Sequence, residues 1–575
     1  MSYQIKHNNY FHKIIAAIVI VILWGVTPLM AMPPNPDMLE RKLKSGDPLP
    51  YFLKNHAQLT NQGINRAAKM TAPHKGAHSG PFKALAVLIK FPDDKEAPVA
   101  AQYFDTLIFT DRQGTIRNYY NQVSYGQLDI VTVNLPSSPG LGWVTAPQDY
   151  SYYCDGQNGI GSYPHNCQKL CEDIVDLINP SVDFSDYDND GDGYVDALIL
   201  VHSGQGAEYT GSNDDIWSHQ WYTSSPRSKD GVYIWGYSIE PEYWAIQGDM
   251  TCGVFCHEFG HTLGLPDLYD TDDPRDAYGV GKWSLMGYGS WNGPGGLGGS
   301  PAHLDAWSRI YLGFTNYNNV TENSNNVSID NVEESGSIYR LWSSGGIGNQ
   351  YFLVENRQRT GYDSFLPSSG LLIWHIDETQ STNDDQWYPG HTGSGNYLVA
   401  LEQADSLFEL EKNLSVGNAG DPFPGNTANT IFSPLTAPNS NSYAGDNTYV
   451  SVSNISPSGS TMTADFQVSL VSDIEHPGDG LLPREIALGQ NYPNPFNPST
   501  NIEVYLPAGT NLTLAVYDIL GRTVNTILDG YYSAGSIRAK WNGTDHNGQP
   551  LPSGVYFYEL KTPHKIDVKK MLLIK

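Results

Sequence analysis

Charge is scarce in this chain of 575 residues. Asp, Glu, Lys and Arg make up 16% of it, and 61 acids outnumber 33 bases for a net charge of -28 at pH 7. No Lys/Arg patch is dense enough to displace counterions from phosphates, which excludes nucleic acid as a partner and points to cations instead. Cysteine is scarcer still. Cys154, Cys167, Cys171, Cys252 and Cys256 are an odd set of five, so at most two disulfides can form and one thiol is left over. Long apolar runs are missing except for IIAAIVIVILWGV at Ile14 to Val26, too short to span a bilayer comfortably. Lys6 and Lys13 precede it and Leu29-Met30-Ala31 follows, the layout of a signal peptide over residues 1–31. An uncleaved anchor is the competing reading. Cleavage near Ala31 would leave no stable membrane span and a protein that is secreted or held at the cell surface.

Apolar and aromatic residues are plentiful, at 40% and 12%, and together with 57 glycines and 37 tyrosines they suit several β-rich extracellular domains. Residues 32–82 are polar and basic. Eight Lys/Arg against two acids between Glu40 and Lys83 fit a propeptide that lies on the acidic body by charge complementarity. Residues 83–316 mix buried strands (KALAVLIKF, ALILVHSG) with helices, an α+β layout. Residues 317–470 show short alternating runs separated by Gly, Pro, Asn and Ser, the pattern of an all-β domain. A polar linker over 471–482 leads to a C-terminal β-sandwich at 483–575, whose nine bases and seven acids set it apart from the acidic remainder.

The chemistry concentrates in CHEFGHTLGLPDLYD, from Cys256 to Asp270. Residues four apart on a helix share a face, so His257 and His261 can each offer a nitrogen to one zinc ion, with Glu258 beside them to hold a water. Asp267 is the candidate third ligand. It can reach the ion only if the helix breaks, and Gly264 and Pro266 supply the break. Further on, GKWSLMGYGSW sets Met286 in a Gly-flanked turn that could form an apolar floor under the histidines, and Tyr288 is a candidate oxyanion donor.

CHEFGHTLGLPDLYD, the Met286 turn and PAHLDAWSRIYLGF, together with SYGQLDI, IWSHQW, YFLVENRQ, LPSSGLLIWHID and GDPFPG, resemble the immune inhibitor A family of secreted bacterial metallopeptidases, peptidase family M6, within the metzincin-like zincins. The resemblance runs over about residues 37 to 468. It implies a zincin-type fold, His257, His261 and Asp267 as zinc ligands, Glu258 as general base, and protein or peptide substrates. NYPNPFNPST, VYDILGRTV, GVYFYELK and KKMLLIK are similar to a type A sorting domain of the type IX secretion system. That similarity implies an Ig-like sandwich, export through the periplasm, and the secretion machinery as a partner.

A second cation site is expected in DFSDYDNDGDGYVDALIL, where Asp186, Asp188, Asp190, Asp192 and Asp196 fall within eleven residues punctuated by Gly191 and Gly193. Such crowding of carboxylates suits a structural calcium ion, in a frame starting at Asp188 in preference to Asp186. The combined expectation is a secreted zinc endopeptidase made as a zymogen. The rival is a surface or matrix-binding protein with a degenerate metalloprotease domain, for which the acid at Glu258 would have no use.

Overall fold

The computed structural model of the chain describes residues 30–59, 80–94, 97–273, 275–393, 395–469, 486–491, 493–507, 509–532, 535–563 and 565–574. The expected signal-peptide run, residues 60–79 of the basic segment and the linker at 471–482 lie outside the described residues. Among the described residues no helix is long and apolar enough to cross a membrane.

The strands of the first region are β1 (Met30–Ala31), β2 (Gly80–Lys83), β3 (Leu85–Lys90), β4 (Leu128–Val131), β5 (Trp143–Thr145), β6 (Leu198–Gln205), β7 (His219–Lys229) and β8 (Val232–Tyr243). Six of them form one sheet in the order β1-β7-β8-β6-β3-β5. LAVLIK and LILVHS are almost continuously apolar because both faces of the sheet are covered. Ala86, Leu88, Ile199 and Val201 face one core, shared with the helix Cys252–Thr262. Leu85, Val87, Leu198 and Leu200 face the other, with the helix Cys167–Ile178. β5, β3, β6 and β8 run parallel, and β7 turns back antiparallel to β8 at the edge. The region is therefore mixed α/β, with helices between parallel strands, where the mixed strands and helices of the sequence read as α+β.

The all-β region pairs a five-stranded sheet (Tyr317–Val320, Ile338–Leu341, Gln350–Arg357, Gly370–Asp377, Val399–Leu401) with a three-stranded one (Ser324–Asp330, Ser451–Ser453, Thr461–Gln467). One face of the larger sheet is continuous with the first region: Leu353, Leu372, Trp374 and Leu401 belong to the same core as Phe259, Trp283 and Met286. Two fully buried arginines seal this junction. Arg309, on the helix Ala306–Tyr311, meets Glu355 at 3.1 Å, and Arg357 meets Glu355 at 3.2 Å and Asp363 at 2.8 Å. At the C-terminus, a three-stranded and a four-stranded sheet enclose a core of Ile502, Leu514, Val516, Trp541, Tyr558 and Met571.

The basic N-terminal segment is held by apolar contacts. Asn35 caps α1 (Pro36–Ser45), its side chain accepting from the Asp37 and Met38 amides. Met38 and Leu39 of α1, and Phe52 and Leu53 of α2 (Tyr51–Leu59), are buried against the first region, Phe52 stacking on Trp217 at 4.6 Å. Its Lys44 pairs with Glu40 of the same helix, so that charge is spent within the segment and not on the acidic body.

Candidate metal centre

The helix Cys252–Thr262 ends as its sequence demands. Gly264 takes φ +95°, its amide bonds the His261 carbonyl at 2.9 Å, and the Leu265 amide bonds the Gly260 carbonyl at 3.0 Å, the paired bonds of a Schellman motif. Pro266 then carries the chain away from the helix axis and returns Asp267 to the histidine face. His257 Nε2 lies 3.1 Å from His261 Nε2 and 3.1 Å from Asp267 Oδ1, and His261 Nε2 lies 3.2 Å from the same oxygen. Ligand atoms 2.0 to 2.1 Å from a tetrahedral ion are separated by about 3.3 Å, so the three atoms fit zinc.

The second shell fixes the rings. His257 Nδ1 is 2.9 Å from the Leu285 carbonyl and His261 Nδ1 is 2.8 Å from the Leu265 carbonyl. A carbonyl can only accept, so each Nδ1 carries the proton and each Nε2 turns a lone pair inward. Burial alone would raise the pKa of Asp267, but the His261 and His257 imidazoles hold its carboxyl well below the usual range. Met286 lies against the same helix. Its carbonyl accepts from the Leu268 amide at 2.9 Å, and a Cβ on Gly260 would stand 2.6 Å from its sulfur, so the Met286 side chain would have to shift to admit one.

Glu258 is fully buried, and neither carboxylate oxygen has a hydrogen-bond partner among the described residues. Burial, then the nearby Glu240, Asp267 and Glu208 carboxylates, push its pKa well above the usual range. Such an acid, unpartnered beside three ligand atoms, suits a group that holds a water.

The cleft above the three ligands is crossed by the chain's own residues 30–35. β1 pairs antiparallel with β7, Ala31 opposite His219 and Met30 opposite Gln220. The Ala31 carbonyl lies 3.3 Å from His257 Nε2 and accepts a hydrogen bond from the Tyr269 hydroxyl at 2.5 Å, and the Ala31 amide lies 3.4 Å from Asp267 Oδ2. Tyr269 was not singled out in the sequence; its signal is an aromatic two residues past the third ligand candidate. Tyr288, the candidate that was, is buried with its hydroxyl unpartnered, its ring 6.0 Å from that of Tyr269. It supports the ring that reaches the cleft.

Of the five aspartates expected around calcium, the structure gathers three. Ligand atoms of Asp188, Asp190 and Asp196 lie within 4.8 Å of one another, and Asp186 and Asp192 are outside the group. Asp188 accepts from the Gly191 and Gly193 amides at 2.8 and 3.0 Å, which needs the positive φ of both glycines. All five cysteines are buried free thiols, Cys252 and Cys256 on the helix that carries the histidines.

Comparison with known proteins agrees with this geometry. Residues 71–317 match the family "Immune inhibitor A peptidase M6, catalytic domain", and residues 494–564 match the FlgD Ig-like domain. Over 464 residues the chain is 26% identical to the pre-pro-metalloprotease PrtV of Vibrio cholerae serotype O1, covering 68% of this chain and 47% of that protein. It is 27% identical over 288 residues to immune inhibitor A of Bacillus thuringiensis subsp. alesti, covering 40% of each. The chain thus spans about half the length of the curated relatives it matches or less. Among solved structures, PorZ, a surface component of the type-IX secretion system of Porphyromonas gingivalis, aligns with 18% identity and a TM-score of 0.13 over 22% of this chain and 15% of that one. A histidine pair and an aspartate set at zinc-ligand spacing thus lie inside residues 71–317, the segment that is similar to the peptidase M6, immune inhibitor A type, catalytic domain.

Proposed function

We propose that the protein is a secreted zinc endopeptidase of zincin type, made as a zymogen, that hydrolyses peptide bonds of extracellular proteins. One observation carries the reading: a backbone carbonyl, that of Ala31, lies against the three ligand atoms with the Tyr269 hydroxyl on it and Glu258 unpartnered beside it.

His257, His261 and Asp267 would hold the zinc, which when bound polarises the scissile carbonyl and acidifies a water. Glu258 takes the proton of that water and passes it to the leaving amine. Tyr269 donates to the carbonyl oxygen as negative charge develops there. The Leu285 and Leu265 carbonyls hold the ligand imidazoles in one tautomer throughout.

Latency has a support in residues 30–35, which in the uncleaved chain lie where a substrate would need to bind. The expected signal-peptide boundary near Ala31 falls in this stretch, so a cut there would leave Met32 to Asn35 in place. Calcium at Asp188, Asp190 and Asp196 would be structural, tying the loop to the start of β6 and, through Asn189 and the Lys83 amide at 2.8 Å, to β2. For the C-terminal sandwich we infer a sorting role with the type IX machinery, with export through the periplasm, on the strength of the sequence resemblance at 483–575. The alternative, a matrix-binding protein with an inert metal domain, leaves Glu258 unexplained. Casein cleavage by the activated protein, with and without chelator, tests the reading: it should stop with chelator and in Glu258→Ala. Equal cleavage by that variant would remove the assignment.

A further inference from the structure

Residues 30–35 are a length of polypeptide lying in the proposed cleft, and the contacts to its backbone can serve any chain of the same polarity. The Met32 amide donates to the Ser218 carbonyl at 3.2 Å. The Met32 carbonyl accepts from Trp217 Nε1 at 2.9 Å, and the Pro33 carbonyl accepts from Trp291 Nε1 at 3.0 Å. Both indoles are buried, Trp291 against Trp244 with ring centroids 5.0 Å apart and Trp217 against Phe52 of the N-terminal segment at 4.6 Å. An indole N–H can only donate, and a buried donor without a partner is costly. Once the segment leaves, each tryptophan presents a donor in want of a carbonyl. The two carbonyls belong to the first and second residues after the one whose carbonyl lies at the ligand atoms.

We propose that Trp217 and Trp291 are substrate-positioning residues that grip the backbone carbonyls of the first and second residues downstream of the scissile bond. This rests on the peptidase reading and sharpens it: the enzyme needs at least two residues beyond the cut, as an endopeptidase does. Because the grip is on backbone carbonyls, it is indifferent to side chain. Proline is accepted at the second position, where only the carbonyl is used, as Pro33 illustrates. It is refused at the first, where the amide must reach Ser218.

The test uses the full chain carrying Trp291→Phe or Trp217→Phe, which keep the aromatic ring and remove only the donor and the second ring's bulk. In the uncleaved chain, hydrogen exchange of the Ala31, Met32 and Asn35 backbone amides should accelerate about tenfold in either variant, the loss of one hydrogen bond. After activation by limited proteolysis, quenched fluorescent peptides ending one or two residues beyond the cut are compared. For the wild type, adding the second residue should raise kcat/KM about tenfold, and Trp291→Phe should erase most of that gain. Trp217→Phe should lower kcat/KM equally for both lengths. A length dependence unchanged in Trp291→Phe, with the fold intact by circular dichroism, overturns the proposal. A wild type that cleaves neither the peptides nor casein overturns the peptidase reading instead, and the exchange data then report the tryptophan contacts independently of turnover.

Discussion

Replacing Tyr269 by phenylalanine tests the reaction geometry most sharply. The side chain is buried, with its ring 6.4 Å from the His257 ring and 6.0 Å from that of Tyr288. Phenylalanine keeps those contacts and deletes only the hydroxyl, whose one recorded hydrogen bond is the 2.5 Å contact to the Ala31 carbonyl. Burial, followed by the Asp267 and Glu258 carboxylates, raises the phenol pKa well above its ordinary value, so the group stays a donor across the working pH range. Losing one preorganised oxyanion donor costs about 10² to 10³ in kcat, roughly 3 to 4 kcal/mol at the transition state. The bond strengthens as charge develops, so kcat should carry the loss and KM should barely move. Steady-state kinetics on a quenched fluorescent peptide, with melting curves to verify the fold, would measure this. A fall of less than threefold in kcat for Tyr269→Phe, or an equal fall for Tyr288→Phe, would refute the assigned role.

Three further outcomes are expected. Gly260→Ala should destabilise the protein by about 1 to 3 kcal/mol and depress activity, because the new methyl meets the Met286 sulfur at 2.6 Å and that overpacking outweighs the roughly 1 kcal/mol helix gain of alanine over glycine; thermal melts and kcat read both. A calcium chelator should lower the melting temperature of the wild type and leave that of Asp188→Asn, already lower, unmoved. Burial pushes the Glu411 carboxyl up to about 8 despite its 2.6 Å hydrogen bond from Gln403, against about 4.3 in an unfolded chain. A raised folded pKa means the contribution is whole below about pH 4 and is lost as pH rises through 8, so Glu411→Gln should flatten the decline in stability between those values. An unchanged pH slope of the melting temperature would count against it.

The candidate metal ligands were legible because their geometry is local. Four residues of helix, one glycine with positive φ and one proline suffice to bring His257, His261 and Asp267 together, and each is visible in the chain. Tyr269 escaped because its direction depends on the irregular turn after Pro266, which no period describes, whereas Tyr288 drew notice from its place near Met286 and is buried with its ring 6.0 Å from that of Tyr269. The strands KALAVLIKF and ALILVHSG were readable as buried runs, but not that they run parallel beside an antiparallel edge, since sheet order is set by distant contacts. For residues 32–59 charge was a poor guide. Met38, Leu39 and Phe52 are few, yet they anchor the segment, and the pairing of Met30 and Ala31, just before it, with β7 carries no side-chain signature. The trio of calcium candidates could be chosen from five only once the turn at Gly191 and Gly193 was known.

The junction sealed by Arg309 and Arg357 has a consequence for inheritance. A chain stopping at residue 317 would keep Arg309 but lose Glu355 and the sheet that covers both, opening to water the apolar face that includes Trp283 and Met286. The first region therefore leans on its β-rich neighbour, and any recombination that trades that neighbour must carry the matching acids along with it.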